Sequence, residues 1–140
     1  MNDGELQRLS DCLSHYPAVV AYLFGSVVRG GLGPLSDLDV ALLFDTSVGK
    51  SERFDLRLRL SSELSALMGR RVDLVILNDV PVHLAFEVIK DGRIISCRDN
   101  AARVDFEKDV LSRYLDRRFY DKRHAETVLG LIASRGLQTS

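Results

Sequence analysis

Two aspartates separated by a single residue, Asp37 and Asp39, follow the pair Gly25-Ser26 after an interval of ten residues, and Asp73 lies in a later apolar run. Carboxylates at positions i and i+2 of an extended segment project to the same side, so Asp37 and Asp39 can share divalent cations that also grip phosphate oxygens. Asp73, on a neighbouring strand, would complete the cluster as a metal ligand and as the group that draws a proton from an attacking hydroxyl. A strand that ends in Gly-Ser presents backbone N–H groups and a hydroxyl to an anion, and glycine lets a phosphate approach the main chain closely. Together these groups suit in-line phosphoryl or nucleotidyl transfer. Without a cation, burying three carboxylates would cost several kcal/mol each, so a bound metal is the natural compensation.

The elements that must position these residues follow from apolar patterning. Residues 18–24 (AVVAYLF) form a continuous apolar run bounded by Pro17 and Gly25, as expected of a buried central strand. The stretch GSVVRGGLGPLS holds four glycines and a proline, which predicts a tight turn, a short helical piece and a loop. In the strand expected over 37–44, alternation puts Asp37, Asp39 and Ala41 on one face and Leu38, Val40 and Leu42 on the other. A third strand is expected over 71–77, with Asp73 in its middle, and a fourth over 93–97 after the Asp91-Gly92 turn. Helices are expected over 4–15, over 51–68 with Gly69 as its stop and Arg57 and Arg59 facing water, and over 81–90. Asp99 or Asn100 can cap a C-terminal helical region, which Gly130 and Gly136 interrupt or end. This order predicts a mixed α/β (α+β) domain built on one sheet flanked by helices.

A chain of 140 residues fits one domain with one hydrophobic core, and 46% hydrophobic and 28% charged residues are the balance of an ordinary globule. Nineteen basic against 20 acidic residues leave a net charge of −1, so the electrostatic footprint of a general nucleic-acid binder is missing. Cys12 and Cys97 lack any CxxC or Cys/His companion spacing and read as small core-type residues rather than as a disulfide or zinc site. The N-terminus has neither the basic start nor the apolar stretch of a signal peptide, and no apolar run reaches about 18 residues. A cytoplasmic protein with no membrane association is the expectation.

The line LFGSVVRGGLGPLSDLDVALLF resembles the signature of the DNA polymerase β superfamily of nucleotidyltransferases, Gly-Ser followed by Asp-x-Asp. Within it the chain is most similar to the minimal nucleotidyltransferase (MNT) family, of which MntA-like proteins act as antitoxins to HEPN-type RNase toxins. The resemblance covers about residues 18–98 as a catalytic core, within a single domain spanning 1–140 whose helical C-terminal segment covers about 99–136. It implies a magnesium-dependent enzyme using two Mg²⁺ ions and ATP, which transfers AMP to a tyrosine hydroxyl of a HEPN-type toxin partner. On this resemblance Gly25 and Ser26 hold the triphosphate, Asp37 and Asp39 the metal ions, and Asp73 the acceptor hydroxyl. Arg29, three residues after Ser26 and so on the same side of a helical turn, could reach a phosphate as a bidentate donor or else anchor the loop.

Plainer roles stand beside these. Asp37 and Asp39 could be a turn carboxylate and a strand-edge charge, and Asp73 could pair with Arg70 or Arg71 at the surface. His15, His83 and His124 read as surface or packing residues. Tyr114, Phe119 and Tyr120 read as core or as a partner-binding stripe rimmed by Arg113, Arg117, Arg118, Lys122 and Arg123. Two other functions fit the same motif: an antitoxin that neutralises by binding alone, and a small-molecule adenylyltransferase of the aminoglycoside-modifying kind.

Overall fold

The computed structural model describes residues 2–25, 37–117 and 130–131. Among the described residues the elements follow the order α1 (Asp3–Leu13), β1 (Ala18–Phe24), β2 (Leu38–Phe44), α2 (Lys50–Met68), β3 (Val72–Ile76), α3 (Val82–Asp91), β4 (Arg93–Cys97) and α4 (Asn100–Arg117). The strands form one mixed sheet in the order β3-β2-β1-β4. Neighbouring β1 and β2 run antiparallel, as do β1 and β4, whereas β2 and β3 are parallel and joined through α2 as a βαβ unit. The α/β character and every strand expected from the patterning are present, with bounds shifted by no more than a residue at most ends.

Both faces of the sheet are covered, which is why β1 and β2 are apolar almost throughout. On one face Leu38, Val40, Leu42 and Phe44 of β2 pack with Leu23 of β1, Leu74 of β3, Leu9 and Leu13 of α1, and Leu60 and Leu64 of α2. On the other, Val20 and Tyr22 of β1 and Ala41 and Leu43 of β2 pack against Ala85, Phe86 and Ile89 of α3 and Val110, Leu111 and Tyr114 of α4. Tyr114 is therefore a core residue: its ring stacks on Phe86 with centroids 3.9 Å apart and planes 6° from parallel. Phe119, Tyr120 and most of the basic rim lie outside the described residues, and Arg113 pairs with Asp109 one turn away on α4.

Local signals set the helix ends. Asn2 and Glu5 form a reciprocal capping box at α1. Gly69 ends α2 with φ of 66°, a left-handed conformation that glycine adopts without steric cost. Asp99, rather than Asn100, accepts the Ala102 N–H and so caps α4. Gly130 is helical and does not end a helix at that point, while Gly136 lies outside the described residues.

Arg57 and Arg59 lie exposed on α2, as expected, and Arg57 also serves the sheet. Edge strand β3 would otherwise leave its outer backbone groups open, and α2 closes them with three side chains at four-residue spacing. Arg57 Nε donates to the Leu74 carbonyl at 3.0 Å, Ser61 Oγ to the Val72 carbonyl at 3.0 Å, and Ser65 Oγ accepts the Val72 N–H at 3.0 Å. Among the described residues no helix is long and apolar enough to cross a membrane.

Candidate active site

Pairing register brings the motif residues together. Phe24, the last residue of β1, lies opposite Asp39 of β2, and Asp39 in turn lies beside Asp73 of β3. Asp39 shares its face of β2 with Ala41, and Asp73 shares its face of β3 with Val75, so both carboxylates belong to the α3/α4 side of the sheet. The two helices cover that side farther along the strands and leave Asp39 and Asp73 half-buried, with Asp37 exposed one residue before β2.

Gly25 follows β1 directly and adopts φ of 80°. An added Cβ there would land against Asp39 Oδ2, closer than real contacts allow. The position thus demands glycine twice: for its left-handed backbone, and for the close passage of the chain over a carboxylate. Ser26 and Arg29, the other expected phosphate contacts, lie outside the described residues.

Electrostatics ties the three aspartates into one group. Partial burial pushes the Asp39 carboxyl above its ordinary range, and the negative charges of Asp73 and then Asp37 push it further in the same direction. Asp39 is therefore the centre of the cluster, and ionising it costs energy that a nearby cation would return. Among the described residues Asp73 makes one ion pair, to Arg71 Nε at 3.2 Å, where Arg71 is mostly exposed and Asp73 half-buried; Arg70 instead turns to Glu5 at 3.6 Å. An exposed pair of this kind is weak and leaves Asp73 available.

The donor set suits a hard divalent cation: oxygen ligands from adjacent strands, mutually repelling, with the central one reluctant to ionise. Among the described residues no three His, Cys, Asp or Glu side chains are drawn together into a finished metal cage.

Sequence reasoning missed a second polar group, inside the core beneath the site. Tyr22 of β1 donates its hydroxyl to Glu107 Oε2 at 2.6 Å, and the same oxygen lies 3.1 Å from Arg103 Nη1, with Arg103 fully buried. Arg103 and Glu107 are four apart on α4, a spacing ordinarily seen in exposed helix pairs, so only their position opposite an inward-facing tyrosine could have marked them as buried. The bidentate grip of Arg53 on Asp79, at 3.0 and 2.6 Å, tying α2 to the turn before α3, was also unanticipated.

The model of the polymerase beta nucleotidyltransferase family matches residues 7–101, about two thirds of the chain and the whole stretch that carries Gly25, Asp37, Asp39 and Asp73. No curated protein sequence matches. A chain of a toxin–antitoxin crystal structure with AMP-PNP is 23% identical, with TM-score 0.66 over 79% of this chain and 87% of that one. A chain from the complex of tri-AMPylated Shewanella oneidensis HEPN toxin with MNT antitoxin is 21% identical, with TM-score 0.65 over 83% and 88%. A chain of the MntA–HepT toxin–antitoxin structure is 20% identical, with TM-score 0.64 over 82% and 88%. At such identities the likeness is one of fold, whereas the family match covers the motif itself. The chain belongs to the polymerase beta nucleotidyltransferase family.

Proposed function

We propose that the chain transfers AMP from ATP to a tyrosine hydroxyl of a HEPN-type toxin, releasing pyrophosphate and so acting as an antitoxin in the cytoplasm. The observation that carries this reading is the side-by-side register of Asp39 and Asp73 next to the glycine that closes β1. Support for the nucleotide and the partner comes from the fold neighbours, one with AMP-PNP and another with an AMPylated HEPN toxin.

In this scheme Asp37 and Asp39 hold two Mg²⁺ ions, with Asp73 as a further ligand, and residues 1–140 work as one nucleotidyltransferase domain. Magnesium held by these carboxylates would supply charge neutralisation for the triphosphate and polarisation of the α-phosphate. Gly25 allows the triphosphate to lie against the backbone, with Ser26 and Arg29 as further phosphate contacts. Asp73 accepts the acceptor hydroxyl's proton as its oxygen bonds to the α-phosphorus, and the bond from that phosphorus to the bridging oxygen breaks to release pyrophosphate. No nucleic-acid partner is required, in keeping with the net charge of −1.

The test is incubation of the purified chain with magnesium, ATP labelled on the α-phosphate and a purified HEPN-type toxin. Label is expected on toxin tyrosine and absent with Asp39→Asn. Equal labelling by that variant refutes the mechanism. Full neutralisation of the toxin in cells by an Asp37→Ala, Asp39→Ala double variant would assign the effect to masking instead.

A further inference from the structure

Along β3 the face that carries Asp73 continues into Val75 and opens onto a groove of about 340 Å³ between α2 and α3, floored by Val75 and walled by Phe54, Val80 and Leu84. Two residues of strand separate Asp73 from Val75, so the carboxylate stands roughly 7 Å along β3 from the groove's floor, just outside its lining. We infer that this groove seats the acceptor segment of a partner protein: an apolar stretch flanked by acidic residues, which presents its hydroxyl to Asp73. The inference rests on the transfer reading above and names the chemistry of the acceptor it would take.

Three observations select that occupant. First, the groove is apolar at its mouth as well as its floor. Phe54, in its wall, is 55% exposed, and Leu58, one turn on along α2 just outside the lining, is 56% exposed, large apolar side chains that water disfavours. Second, the rim is basic. Lys50 and Arg57 line it, and its one carboxylate, Asp79, is already held by Arg53 through two hydrogen bonds. Acidic flanks complement such a rim, whereas a polycationic aminoglycoside would meet repulsion there. Third, strand addition is blocked, because Arg57 and Ser61 occupy the outer carbonyls of β3. The occupant must therefore dock through side chains.

Two fluorescent peptides test this, each with a central tyrosine and leucines, one flanked by glutamates and the other by lysines at the same positions. Their binding to the full chain is read by anisotropy, and AMP transfer to each is read separately with labelled ATP. The acidic peptide is expected to bind at least about tenfold more tightly than the basic one. Lys50→Glu should cut that preference at least about fivefold, and Phe54→Ser should weaken both peptides about fivefold or more. Both positions are on the surface of α2, so circular dichroism should show an unchanged fold. Equal affinity for the two peptides, no binding at millimolar concentration, or indifference to Phe54→Ser would overturn the inference. Intact binding preference without any AMP transfer would instead count against the transfer reading and leave the groove assignment standing.

Discussion

Gly25 and Asp39 approach each other so closely across the first two strands that a β-carbon added to the glycine would overlap Oδ2 of the aspartate. The strand exit and the central carboxylate are thus one device, in which the backbone turn and the acid are shaped to each other. A change at either should be felt at both.

Gly25→Ala tests that coupling. Strain from φ of 80° and displacement of Asp39 together should cost about 1–3 kcal/mol of stability, with loss of most transfer activity. Thermal denaturation and the labelling assay measure the two effects. A variant with unchanged melting temperature and activity would show that the contact constrains nothing.

Asp39→Asn should separate stability from activity. Because burial, Asp73 and Asp37 raise the Asp39 carboxyl in the folded chain, the fold favours its protonated form. That contribution is fully present below the ordinary carboxylate range and is lost as pH rises through the raised folded value. At neutral pH the ionised group therefore burdens the metal-free fold. The variant, which never ionises, should melt at a higher temperature than the parent at pH 7 without magnesium. The advantage should shrink on acidification, and magnesium should stabilise the parent alone. Melting curves at several pH values check the sign, and a lower melting temperature for the variant at pH 7 would refute it.

Asp73 and Arg71 should part company in kinetics. Their contact is exposed, so Arg71→Ala should change the transfer rate by no more than about twofold. Asp73→Asn removes the proposed proton acceptor and should lower kcat by roughly 10²- to 10⁴-fold. Comparable losses in the two variants would make the ion pair, rather than the carboxylate, the functional unit.

Beneath the site, Arg103 and Glu107 form an ion pair almost wholly removed from water, with Tyr22 bonded to the same carboxylate oxygen. Removing one charge strands the other, so Glu107→Leu should destabilise by about 3–5 kcal/mol, while the Arg103→Met, Glu107→Leu double variant should recover much of that loss. Urea denaturation measures both. Additive losses in the double variant would mean the two residues act independently.

Much of this was legible in the residues. β1 and β2 announce themselves because a central strand covered on both faces must be apolar, and Asp39 stands out in β2 as a charge that such a strand would otherwise exclude. Strand alternation placed Asp39 with Ala41 and opposite Leu38, Val40 and Leu42, as found. What patterning could not supply was pairing: the alignment of Asp39 with Asp73 depends on the register of two strands separated by a 19-residue helix. The same is true of Arg57. Its sequence neighbours are those of a solvated helix face, and only the edge position of β3 explains why its guanidinium turns to a backbone carbonyl. The Tyr22–Glu107 bond spans 85 positions and leaves no local trace.

The proposed transfer requires that the aspartates beside Gly25 bind a nucleoside triphosphate through magnesium. Calorimetric titration of the full chain with a non-hydrolysable ATP analogue, with magnesium and with a chelator, tests it most directly. Binding is expected only with magnesium and should fall at least about tenfold in Asp39→Asn. Equal binding with and without the metal, or equal binding by the variant, would rule out a magnesium-bridged nucleotide at these carboxylates.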